Sequence, residues 1–127
     1  MARILVIDDD AQVRGVLRRI LERAGHKVFD VGDGEAGIKL HREQPADVII
    51  TDIFMPERDG IETIQALRRE FPGVKIVAIS GGDRTRTVDL RKDAEVFGAS
   101  RTLRKPFELT ELLEVVGELL RETRPAV

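Results

Sequence analysis

The chain has 127 residues, 42% hydrophobic and 35% charged, which matches one globular domain with enough apolar material to bury a core. With 21 basic against 23 acidic residues the net charge is −2, so no basic field exists for non-specific nucleic-acid binding, and no direct nucleic-acid partner is expected. The absence of cysteine excludes a disulfide framework and thiol chemistry.

The first apolar run, residues 4–7, is followed by acids and reads as a strand over residues 3–7 buried on both faces. Such runs are far too short to span a membrane, and Met1-Ala2-Arg3 carries no secretory pattern, so the cytoplasm is the expected compartment. Val13, Val16, Leu17, Ile20, Leu21 and Ala24 fall on one helical stripe, and Gly25 is its stop. Residues 27–31 read as a second, weaker strand. Asp33-Gly34 reads as a turn, followed by a short helix with Ala36, Ile38 and Leu40 that ends before Pro45.

A third strand is expected over residues 47–51, then a loop marked by Pro56 and Asp59-Gly60. A third helix begins with Ile61, Ile64 and Leu67 and stops at Phe71-Pro72-Gly73. A fourth strand is expected over 74–79, and a fourth helix with Leu90, Ala94 and Phe97, closed by Gly98. A short fifth strand is expected over 100–103. Leu109, Leu112, Leu113, Val116 and Leu120 make a last amphipathic helix. Val115 and Leu119 widen its apolar face beyond one core contact, which leaves room for a partner. No repeat or linker interrupts the chain, so residues 1–122 are expected to form one domain with a tail over 123–127.

Strand and helix alternate five times, the pattern of an α/β fold with a five-stranded parallel sheet covered by helices on both faces. In such a doubly wound sheet, ligands bind at the carboxyl ends of the strands. The first strand ends in Asp8-Asp9-Asp10, the third in Thr51-Asp52, the fourth in Ser80 and the fifth in Arg104-Lys105-Pro106. The fold therefore brings carboxylates, a hydroxyl and an ammonium to one pocket. Carboxylates that close repel one another unless a cation joins them. Mg²⁺ suits the set, because it takes few protein ligands and keeps water and phosphate oxygens. The parts then match phosphoryl transfer: a carboxylate nucleophile, a metal, a lysine and a hydroxyl donor.

Asp8-Asp9, Asp52, Met55-Pro56 with Asp59-Gly60, Ser80 and Lys105-Pro106-Phe107 together resemble the receiver domains of two-component response regulators, a flavodoxin-like (βα)5 family that includes the chemotaxis regulators. The resemblance runs from about Arg3 to Leu120. It implies that Asp52 is the phosphoacceptor, charged from a phosphohistidine on a sensor histidine kinase or phosphotransfer protein. It implies that Asp9 binds Mg²⁺ directly, that Asp8 binds it or orders its waters, that Asp52 contributes, and that the Phe54 backbone carbonyl is a further ligand. Lys105 pairs with Asp52 and then with the phosphoryl group, and Ser80 hydrogen-bonds that group and moves toward it. Pro106 follows a cis peptide bond. The output goes to a downstream protein or output domain, and the phosphoryl group is later lost by hydrolysis.

Each residue also has a plainer reading. Asp10 is preferred as a helix start, because acids favour helix N-termini. Asp8 and Asp9 could share that role, Asp52 and Ser80 could be turn residues, and Lys105 a surface lysine. His26 and His41 read as surface residues, and Arg14, Arg18, Arg19 and Arg23 as a solvated helix face. Two features depart from the family pattern. Thr102 occupies the switch position where receivers often carry an aromatic ring, and it offers no ring to flip. The stretch between Ser80 and Lys105 is a few residues long for the family and includes Gly81-Gly82, which points to a loop and helix rearrangement as the output.

Three rival classes remain at this level. A phosphorylation-independent receiver fold would have lost one of the site residues. A flavodoxin-type nucleotide binder would not begin its phosphate loop with three aspartates. An aspartate-nucleophile phosphatase would carry a second aspartate where Phe54 stands.

Overall fold

The computed structural model describes residues 2–53, 60–80, 98–104 and 108–122. The elements are β1 (Arg3–Ile7), α1 (Ala11–Arg23), β2 (Lys27–Val31), α2 (Gly34–Glu43), β3 (Val48–Asp52), α3 (Gly60–Glu70), β4 (Ile76–Ser80), β5 (Arg101–Arg104) and α4 (Leu109–Arg121). All strand pairs are parallel, in the order β2-β1-β3-β4-β5. The helix expected between Leu90 and Gly98 lies outside the described residues, as do Phe54, Met55-Pro56, Asp59, Lys105-Pro106-Phe107 and the expected tail.

The period-two alternation of the strands sorts the core into two layers. Ile4, Val6, Val48, Ile50, Val77 and Ile79 face Leu17 and Leu21 of α1 and Leu112, Val116 and Leu119 of α4. Leu5, Ile7, Ile49, Ile76 and Ala78 face Ile38 of α2 and Ile64 and Leu67 of α3. Both faces of the central strands are thus covered, which is why β1 carries the apolar run Ile4–Ile7 and β3 the run Val48–Ile50.

The helix ends follow local chemistry. Asp10 caps α1 by accepting from the N–H groups of Gln12 (2.9 Å) and Val13 (3.4 Å). Gly25, at φ +96°, ends the helix in the left-handed region that glycine enters freely. Asp33 is the N-cap of α2, accepting from Ala36 N–H at 2.8 Å. Asp33-Gly34 is therefore a helix start where the sequence suggested a turn. The Lys75 ammonium donates to the carbonyls of Leu119 and, at 2.9 Å, Glu122, closing the C-terminus of α4.

Four further expectations are corrected. His41 is not a surface residue: it is 4% exposed, its Nδ1 accepts from Ala46 N–H at 2.9 Å, and its ring meets Phe71 edge-on at 4.5 Å. Leu119 is fully buried in the core and Val115 packs against it, so neither is surplus apolar surface. On α1, Val16 is 50% exposed and Ala24 is also exposed, so the buried stripe is narrower than the sequence pattern. The third, fourth and fifth strands each end one residue later than expected, because the pairing partner and not the apolar run sets the boundary.

Candidate phosphoryl and metal site

The strand order reverses its direction of growth between β1 and β3, where β2 lies on one side and β4 on the other. That switch point opens a crevice beyond the carboxyl ends of the two strands. Ile7 pairs with Thr51, so Asp8 and Asp52, each the next residue, arrive side by side. Carboxylate oxygens of Asp8, Asp9 and Asp52 all lie within 4.8 Å of one another. Asp8 and Asp52 are buried and Asp9 is exposed, so the cluster is closed below and open above.

This donor set fits a hard divalent cation. All three ligands are oxygens, and the ligands of a six-coordinate Mg²⁺ at about 2.1 Å lie within about 4.2 Å of one another. A span of up to 4.8 Å needs little closure to match it. The exposed side leaves room for water and for a phosphoryl oxygen.

The neighbourhood fixes these acids from the backbone outward. Asp8 N–H donates to Val31 O at 3.2 Å, and Asp8 Oδ1 accepts from Asp10 N–H at 2.9 Å. Ile53 N–H donates to Ile79 O, and Gly60 N–H donates to Ile53 O, both at 2.9 Å, so the chain on either side of Asp52 is pinned. Asp52 pairs with Ile79, which places Ser80 one residue further along the adjacent strand. Ser80 pairs with Arg104, the residue before Lys105. Thr102 lies on the edge strand β5 opposite Ala78 and is half-buried.

The structure thus brings together Asp8, Asp9 and Asp52, and assigns Asp10 to helix capping as the sequence suggested. Two residues escaped the sequence reading. Arg14, expected on a solvated face, donates from Nη1 to the main-chain carbonyl of Asp8 at 2.7 Å and from Nε to Asp30 Oδ2 at 3.0 Å. Gly60, read only as a loop marker, lies against the Asp52 backbone. The signal for Arg14 was an acid, Asp30, between Phe29 and Val31 in β2.

The chain matches the family model of the response regulator receiver domain over residues 4–117, and it belongs to that family. It is 34% identical to the response regulator receiver protein CpdR of Brucella abortus, over 94% of this chain and 98% of that protein. It is 36% identical to the transcriptional regulator NtrC of Azospirillum brasilense, over 98% of this chain but 25% of that protein. The response regulator MprA of Mycobacterium leprae is also 36% identical, over 97% of this chain and 53% of that protein. The chain therefore spans a quarter to a half of some relatives and nearly all of another.

Among solved structures, the fold superposes on the response regulator TrrA of Thermotoga maritima, in complex with Mg²⁺ and BeF, with a TM-score of 0.84 at 30% identity. That match covers 94% of this chain and all of the other. CheY4 of Vibrio cholerae, a chemotaxis protein, gives 0.83 at 29%, over 94% and 99% of the two chains. The protein is a receiver domain of a two-component response regulator, a signalling switch on the flavodoxin-like doubly wound fold. No described helix is long and apolar enough to cross a membrane.

Proposed function

We propose that Asp52 is the phosphoacceptor, charged from a phosphohistidine of a sensor histidine kinase or phosphotransfer protein in a Mg²⁺-dependent reaction. The observation that carries this reading is the buried Asp52 carboxylate at the switch point, within 4.8 Å of those of Asp8 and Asp9. An Asp52 oxygen attacks phosphorus; the P–N bond breaks, and its electron pair returns to the imidazole of the donor. Asp8, Asp9 and Asp52 would hold the cation, with the Phe54 carbonyl as a further ligand. The ion, when bound, would supply charge neutralisation at the phosphoryl oxygens.

Lys105 pairs with Asp52 and then with the transferred group. Ser80 donates a hydrogen bond to it. Hydrolysis of the acyl phosphate by water breaks the P–O bond and resets the switch. The signal passes to a downstream protein or output domain, through Thr102 and the segment between Ser80 and Lys105. The work is done in the cytoplasm by residues 1–122, without direct contact with nucleic acid.

Acetyl phosphate with Mg²⁺ is expected to add one phosphoryl group, and Asp52→Asn to remove most of the labelling. An acid-stable product, or full labelling of the variant, overturns the assignment.

A further inference from the structure

The carbonyl of Asp8 lies one residue beyond the carboxyl end of β1. Asp8 N–H still pairs with Val31 O, but β2 then turns through Gly32 into the Asp33 cap of α2. The Arg14 guanidinium donates to that carbonyl, with Nη1 at 2.7 Å from Asp8 O. Arg14 lies in the first turn and a half of α1, and helical side chains lean toward the N-terminus, which aims it back over the acidic turn. Its Nε donates to Asp30 Oδ2 at 3.0 Å, and both side chains are only 21% exposed. Asp30 Oδ1 accepts from Arg18 Nη1 at 2.7 Å, so Asp30 is itself fixed. On the other side the guanidinium lies against Gly32, where an added Cβ would come within 3.3 Å of Nη1.

The peptide plane that carries the Asp8 carbonyl also carries the Asp9 N–H. Holding that carbonyl sets the direction in which Asp9, the exposed member of the cluster, leaves the strand. Charge and geometry then predict opposite signs. As a bare cation, Arg14 would repel a divalent ion, and its removal would tighten binding. As the group that orients the acidic turn, its removal would weaken binding. The 2.7 Å bond to the carbonyl and the compensating Asp30 favour geometry.

We infer that Arg14, held by Asp30, is a positioning residue that orients the Asp8-Asp9 turn for Mg²⁺. This rests on the reading of Asp8, Asp9 and Asp52 as the cation site. Outer-shell partners of metal ligands contribute about 10- to 100-fold to affinity, and the low end applies here because the contact is to backbone.

The test is Mg²⁺ titration of the whole chain by calorimetry, with melting temperature measured in parallel. Arg14→Ala is expected to raise the Mg²⁺ Kd about 10-fold. Arg14→Lys is expected to fall between it and wild type, since one ammonium cannot serve both acceptors in the fork geometry of a guanidinium. Arg42→Ala, which breaks only the exposed pair with Glu70, is expected to keep wild-type affinity. If Arg14→Ala does not fold, Arg14→Lys decides. Unchanged or tighter binding in the Arg14 variants, with wild type binding and Asp9→Ala not, overturns the positioning role alone. Failure of wild type to bind at millimolar Mg²⁺ overturns the cation site and the inference with it.

Discussion

Gly60 stands so close to Asp52 that a Cβ added to it would lie 2.2 Å from the Asp52 carbonyl oxygen and 2.6 Å from Ile53 Cα. Both neighbours are backbone, so neither can yield by changing a rotamer. The start of α3 is thereby stacked directly on the strand end that presents the acceptor. Gly60→Ala is expected to destabilise the fold by about 1–3 kcal/mol, the usual cost of overpacking. It should also slow labelling of Asp52 more than loss of stability explains, because the strain falls on the acceptor's own peptide. Thermal melts and initial labelling rates check this; a wild-type melting temperature would show that the chain relaxes there freely.

Asp10 caps α1 from within the acidic run proposed to hold the cation. Its carboxylate accepts from Gln12 and Val13 N–H, while its own N–H holds Asp8 Oδ1. Asp10→Ala is expected to cost about 1 kcal/mol of stability and Asp10→Asn much less, since asparagine also caps. Both should leave Mg²⁺ affinity near wild type, whereas Asp9→Ala loses most of it. Equal losses for Asp9 and Asp10 would mean that the run acts only as a diffuse negative field.

His41 gives the fold an acid-sensitive joint. Burial holds its pKa below the ordinary value of about 6.5, against a smaller opposing pull from Glu70. Glu70 is itself engaged by Arg42 at 2.6 Å and held below the usual carboxylate range by that bond. With the folded pKa lowered, the unfolded chain binds more protons in the window just below pH 6.5. The His41 contribution is therefore complete above that value and lost as pH falls through the window. Protonation also removes the Nδ1 acceptor for Ala46 N–H. His26, lowered mainly by burial, acts in the same direction. His41→Asn is expected to lower stability at pH 7.5 and to flatten its decline between pH 7 and 5. Denaturant midpoints across that range measure it, and an unchanged slope would exclude His41 as the source.

The lifetime of the signal is expected to depend on Phe54. An acyl phosphate is lost when water attacks opposite the leaving carboxylate. The side chain two residues beyond the acceptor is expected to border that approach. Phenylalanine offers bulk and no group to orient water, and Gly82, two residues after Ser80, offers neither. Phe54→Asn is expected to shorten the phosphorylated state about 10-fold, equivalent to about 1.4 kcal/mol on the barrier. Equal decay of label in wild type and variant would leave Phe54 only its carbonyl role.

The sequence by itself determined the alternation of strands and helices, the two-faced burial of β1 and β3, and the ordering of acids at strand ends. Those features are local: period, capping and turn chemistry act within a few residues. It also separated Asp10 from Asp8 and Asp9, because a cap is a property of the helix that follows.

Tertiary structure alone decided the rest. His41 looked solvated because its flanks are polar, yet its burial comes from Phe71, thirty residues away in the chain. Leu119 looked surplus because a helical wheel does not show how far a sheet extends beneath it. Arg14 looked like one of four equivalent arginines until β2 supplied Asp30 and β1 supplied the Asp8 carbonyl. Gly60 looked like a turn marker until the Asp52 backbone was found beneath it. Partners far apart in the chain meet only when the sheet order and register are set, and no local pattern encodes that meeting.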